Sequence, residues 1–235
     1  MGCARCSYFA GAAGILRAHT RSRRGGGRLV NQFFEEFECP EHGRQPRGVQ
    51  ETAESLNCLA LSCARKGWYE ETVACLRKGL GLSPFNGLLW LNLALGYYAL
   101  KRTVDSAGAL YHALRCTPHH AAVWNMLGVV LHDMGDTEAS RNAYEHAIRL
   151  ETKNGATWNN YGLLLHTEQK YDQAQRAFET ALSLLPRSGS ALYNLSRTYH
   201  ALGDARKAAV CRRILAQMPA GEKKPGPITP FALHP

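Results

Sequence analysis

The sequence predicts an all-α fold, a solenoid of five helix-turn-helix repeats, and three observations predict it. An apolar slot recurs at a 34-residue offset, occupied by Leu56, Trp90, Trp124, Trp158 and Leu192. Four residues beyond that slot the side chain is always small: Ala60, Ala94, Gly128, Gly162 and Ser196. Twenty-three beyond it stand Gly79, Ala113, Ala147, Ala181 and Leu215. A period of this length marks stacked supersecondary units, none of which buries its apolar face alone.

Residues 1–28 read as a basic leader without structure of its own. Six arginines and no acid fall in the first 34 residues, and "RSRRGGGR" is too glycine-rich to fold by itself. Three readings stand side by side. "MGCARC" resembles an N-myristoylation signal, with Gly2 and Cys3 as candidate lipidation sites, although Cys6 stands where the motif asks for Ser or Thr. The arginine-rich, acid-free stretch also fits a mitochondrial transit peptide. A basic leader with no address is the third. Expected localisation is therefore cytoplasmic, with peripheral membrane attachment through the N-terminus as an option and a mitochondrial location as the alternative.

Residues 29–52 hold a short amphipathic helix and a linker. Leu29, Phe33 and Phe37 repeat at a spacing of four, while Glu35, Glu36 and Glu38 take the other face. Such a helix is expected to cap the apolar end of the first repeat.

The five repeats follow at 53–86, 87–120, 121–154, 155–188 and 189–222. Each carries two apolar stripes at helical spacing, such as Trp158, Tyr161 and Leu165 followed by Ala174, Phe178 and Ala181. Gly67, Gly135 and Gly203 mark the turn between them, where a left-handed residue is cheapest as glycine. The small residue lets the helices approach, and Tyr144 or Phe178 fills the space beyond. Trp124 is expected as a large buried ring at a repeat junction. Arg212, standing where Tyr144 and Phe178 stand elsewhere, signals that the array ends at the fifth repeat. The segment 223–235 is rich in Pro and Gly, has no helical period and reads as an extended tail.

The pattern W-x2-L-G-x2-Y, then A-x3-F and a closing proline at Pro84, Pro118 and Pro186, resembles the tetratricopeptide repeat. Departures include Gly79 and Leu215 for Ala, Thr103 and Thr137 for Tyr, and Arg212 for the aromatic. The resemblance implies a right-handed superhelix whose first helices line a concave groove that holds peptides. Two and one residues past the repeating slot, that face carries Asn92, Asn160 and Asn194, then Asn57, Asn125 and Asn159. Eight past it carries Tyr98, His132, His166 and His200. A carboxamide bonds both the N–H and the C=O of an extended chain, so an Asn column is expected to grip main chain, with side-chain pockets near Tyr98, Leu95 and Leu163. The column resembles the asparagine ladder of the O-GlcNAc transferase repeats and the peptide-gripping asparagines of the peroxisomal targeting-signal receptor. Met126 and Cys58 interrupt it. These asparagines are expected to face away from the core.

Other functions are disfavoured. The sequence shows no glycine-rich phosphate loop, no G-x-S-x-G and no H-E-x-x-H, so no catalytic residue and no enzyme is expected. Of the eight cysteines only Cys3 and Cys6 have the CxxC gap, without a second pair of ligands, and histidines on successive helices start ~8–10 Å apart, so neither a metal site nor a cofactor is expected. Cys63 falls on a core position, as a buried thiol. Of the net charge of +9, +4 falls in 53–222, a mild excess without clustered basic residues, which argues against nucleic acid. Chaperone C-terminal tails are disfavoured as partners, since their clamp needs Lys and Arg where this chain has Asn57, Leu61, Ala122 and Met126. The expected function is a protein–protein interaction adaptor holding a peptide or helix of a partner. The alternative is a structural subunit of a larger complex, using the convex face or the array ends.

Overall fold

In the computed structural model, residues 52–219 are described. The leader with Gly2 and Cys3, the capping helix expected within 29–52 and the tail of 223–235 lie outside them. Ten helices fill the described residues, arranged as five pairs. They are α1 Ala53–Arg65, α2 Tyr69–Leu82, α3 Gly87–Ala99, α4 Thr103–Cys116, α5 Ala121–Asp133, α6 Thr137–Leu150, α7 Gly155–Thr167, α8 Tyr171–Leu184, α9 Gly189–Ala201 and α10 Ala205–Gln217. The fold is an all-α solenoid of helical repeats. The chain divides into two compact units, Met1–Ala109 and Leu110–Pro235, with the division inside α4.

Local chemistry starts and stops each helix. Thr52 and Ser55 form a reciprocal capping box at α1, and Asn86, Asp136, Asn154, Ser188 and Asp204 accept first-turn amides at α3, α6, α7, α9 and α10. Each first helix ends in a residue with positive φ. Glycine holds it at Gly67, Gly135 and Gly203, whereas Lys101 and Gln169 hold it at φ 61° without that relief.

The close approach of the two helices in a pair rests on the small slot. A β-carbon added at Gly128 would sit 2.7 Å from the Tyr144 ring, and one at Gly162 would sit 2.7 Å from the Phe178 ring. A hydroxyl further ties the pairs. Thr72, Ser106 and Ser140 donate to the carbonyls of Ala60, Ala94 and Gly128 at 3.3, 2.8 and 2.7 Å. In the last pair the direction inverts, with Ser196 donating to the carbonyl of Ala208 at 3.2 Å. Cys63 and Cys75 are both fully buried in the first unit. Hydrogen bonding to Cys63, then burial, pushes the Cys75 thiol far above its ordinary range.

The tryptophans differ from the expectation of a buried ring. Trp90, Trp124 and Trp158 are half-buried, and the residue before Trp124, Val123, is the fully buried one. The cause is the indole N–H, which needs an oxygen. It donates to the backbone carbonyl six residues earlier, from Trp90 to Pro84 and Trp124 to Pro118 at 2.8 Å, and from Trp158 to Thr152 at 2.9 Å. The ring thus clasps the loop entering its own repeat, and Trp124 also stacks on His146 with centroids 4.6 Å apart. At the same slot Leu56 and Leu192, having no such donor, are buried.

Candidate functional site

The asparagine positions expected to form the groove sort differently in space. In the first unit, Asn92 is fully buried and its Nδ2 donates to Oδ1 of Asn57 at 2.7 Å. In the second unit, Asn160 donates to Asn125 and Asn194 donates to Asn159, each at 3.2 Å. The rule is one of geometry. The Asn two past the slot in one repeat donates to the Asn one past the slot in the repeat before it. The carboxamides are therefore pairs across a repeat junction.

This corrects the expectation that every asparagine faces away from the core. Asn92 and Asn194 are buried, and Asn92 Oδ1 has no hydrogen-bond partner. Burial follows from the pairing, because a side chain that reaches across a junction is covered by it. Asn57, Asn125, Asn159 and Asn160 remain half-buried. Each retains hydrogen-bonding capacity beyond its pair, although Asn159 Nδ2 also lies 3.5 Å from Asn160 Oδ1. Leu95, expected beside a pocket, is buried, while Leu163 is half-buried.

The residues eight past the slot also differ among themselves. Tyr98 is half-buried, with the Lys101 ammonium 5.8 Å from its ring centre. His132 is half-buried, its Nε2 3.4 Å from Thr167 Oγ1 and its Nδ1 3.7 Å from Asp133. His166 Nδ1 lies 3.1 Å from Thr198 Oγ1, and the ring meets Tyr171 edge-on at 5.2 Å. Burial, and then the charge of Arg197, hold His166 below the ordinary histidine range, so it is largely neutral at neutral pH. His200 is exposed. Each imidazole with a neighbour thus meets a hydroxyl of the next first helix. Among the described residues, no group of three or more His, Cys, Asp or Glu stands where it could hold a metal ion.

A depression of about 350 Å³ lies at α7, α9 and α10, lined by His166, Tyr193, Ser196, Arg197, His200, Ala201 and Arg212. Sequence reading singled out Arg212 as a departure and the two histidines as groove residues, but did not join them. Arg197 escaped it altogether, and Tyr193, one past the repeating slot like Asn125 and Asn159, was placed on the groove face without being joined to it. Their signal was a cation and an aromatic four residues apart on one helix, and in the structure the guanidinium lies 5.8 Å from the Tyr193 ring centre.

Residues 121–154 and 165–224 match family descriptions of the tetratricopeptide repeat. The described helices resemble those of several solved proteins. A segment of MamA from Desulfovibrio magneticus RS-1 is 15% identical, with 69% of this chain and 92% of that one covered and a TM-score of 0.61. PilF of Pseudomonas aeruginosa is 21% identical, with 70% and 75% covered and a TM-score of 0.66. YrrB, described as a tetratricopeptide-repeat protein with an unusual peptide-binding site, is 20% identical, with 68% and 82% covered and a TM-score of 0.54. No curated protein sequence matches the chain. At these identities the structural likeness is one of fold. The family matches identify tetratricopeptide repeats within residues 121–154 and 165–224, and the structural likeness carries the same helical-repeat fold across the described helices. Among the described residues, no helix is long and apolar enough to cross a membrane.

Proposed function

We propose that the chain is an interaction adaptor that holds a peptide or helical segment of a partner protein against its first helices. The observation that carries this is the set of half-buried carboxamides and imidazoles on α5 and α7: Asn125, His132, Asn159, Asn160 and His166. The inter-repeat pairs orient these amides, so a ligand meets donors and acceptors whose rotamers are already restricted. The peptide-binding site described for YrrB supports the same use of the fold. In this reading the chain is a binding protein rather than an enzyme, and its partners are proteins rather than nucleic acid. Asn57, Leu61 and Met126 give no cationic clamp for chaperone tails. We place it in the cytoplasm, where thiols such as Cys63 and Cys211 stay reduced. Lipid on Gly2 or Cys3 remains a reading of the sequence motif alone.

The test is a peptide selected by display against the full chain, titrated by calorimetry. Asn125→Ala combined with His132→Ala, at matched helicity, is expected to weaken binding about tenfold or more, the loss of one to two hydrogen bonds. An unchanged affinity would move the site to the convex face or the array ends and favour the structural-subunit reading.

A further inference from the structure

In four repeats the residue twenty past the slot is a large apolar side chain that is essentially buried: Leu76, Leu110, Tyr144 and Phe178. Its size tracks the small residue of its repeat. Leucine accompanies Ala60 and Ala94, and an aromatic accompanies Gly128 and Gly162. The added β-carbon of alanine explains the difference, since at Gly162 such a carbon would run into the Phe178 ring at 2.7 Å. The fifth repeat breaks the rule. Ser196 keeps the β-carbon and is buried, but Arg212 replaces the apolar partner and is exposed. The depression of about 350 Å³ beside Ser196 and Arg212 lies where that partner is missing.

Its rim is cationic. Arg197 and Arg212 both line it, and no carboxylate does. Among the described residues neither arginine forms a salt bridge to a carboxylate. A volume of this order is at the lower end of ligand pockets, enough for one apolar side chain and its flanking backbone. We propose that this pocket takes an acidic peptide segment of a partner protein, with one leucine-sized apolar side chain seated against Ser196 and flanking carboxylates on Arg197 and Arg212. Charge complementarity selects the acidic flanks, because a guanidinium pairs a carboxylate in a bidentate fork. The β-carbon of Ser196 selects a leucine-sized residue by the rule the first two repeats obey. The inference rests on the groove reading above and names the ligand chemistry at its last repeat.

The probe is a fluorescein-labelled synthetic peptide with a single leucine between glutamates, and its twin with alanine at that position. Fluorescence anisotropy with the full chain is expected to show the leucine peptide binding at least tenfold more tightly than the alanine peptide. Arg197→Glu is expected to weaken both peptides by more than tenfold. Arg212→Leu should fill the slot from within and abolish the leucine preference, whereas Arg212→Gln should keep the preference while lowering affinity for both. Circular dichroism confirms that each variant retains its helicity, and Arg212, being exposed, is a position where folding is not at stake. The proposal is overturned if wild type discriminates neither peptide, if Arg212→Leu preserves the preference, or if wild type refuses the probe because a segment of the chain itself fills the pocket. A display-selected peptide that still depends on Asn125 and His132 while the leucine probe fails would sink this inference and leave the groove reading standing.

Discussion

Replacing Asn194 with alanine tests whether the carboxamide pairs hold the repeats together. Asn194 is buried and donates to Asn159 Oδ1 at 3.2 Å, joining the first helix of the fifth pair to that of the fourth. Losing one such bond costs about 0.5–1.5 kcal/mol, and a fully buried orphaned acceptor would add about 1–3 kcal/mol. Asn159 is half-buried, so water recovers part of that second cost, and a total of about 1–2.5 kcal/mol follows. In a repeat protein this loss falls on one nearest-neighbour interface, so unfolding of the C-terminal repeats should feel it first. The assay is urea unfolding followed by circular dichroism on wild type, Asn194→Ala, Asn159→Ala and the double variant. The cycle should return a coupling of about 0.5–1.5 kcal/mol, since both single variants break the same bond. Additivity within about 0.3 kcal/mol would refute the argument, because it would show two amides acting independently at the surface rather than one pair across a junction.

Gly162→Ala should destabilise the chain by about 1–3 kcal/mol through the clash with Phe178, and Phe178→Leu in the same chain should recover most of it by copying the Ala60–Leu76 combination, as read by urea midpoints. Gln169→Gly should raise stability by about 0.5–1 kcal/mol, since a left-handed side chain costs about 1–2 kcal/mol and glycine returns part of that as chain entropy; an unchanged or lowered urea midpoint would contradict the strain at φ 61°.

Much of the fold was legible in the order of residues. The 34-residue period, the small slot and the glycine turns are local or strictly repeated features, and each follows from a steric rule that holds wherever a helix pair packs. The site was legible only in part. Reading columns, one slot at a time, correctly groups the asparagines and histidines on the first helices, because equal slots lie on equal faces. It does not show that Asn194 reaches Asn159, because that bond links unequal slots of neighbouring repeats and depends on the helix offset at the junction. The indole clasp of Trp158 onto Thr152 escaped for a similar reason: hydropathy marks the ring as core and is silent about where its single N–H finds an oxygen.

Sequence alone thus determined the number of helix pairs, their class and the point at which Arg212 interrupts the pattern, because composition and period decide which faces are apolar. Tertiary structure alone decided which carboxamides are covered, and that Ser196, Arg197, His166 and Arg212 share one depression. The physical reason is that burial and hydrogen-bond pairing belong to the junction between helices. Three of those four residues come from first helices of two successive repeats and one from a second helix, and only packing brings their side chains to a common point.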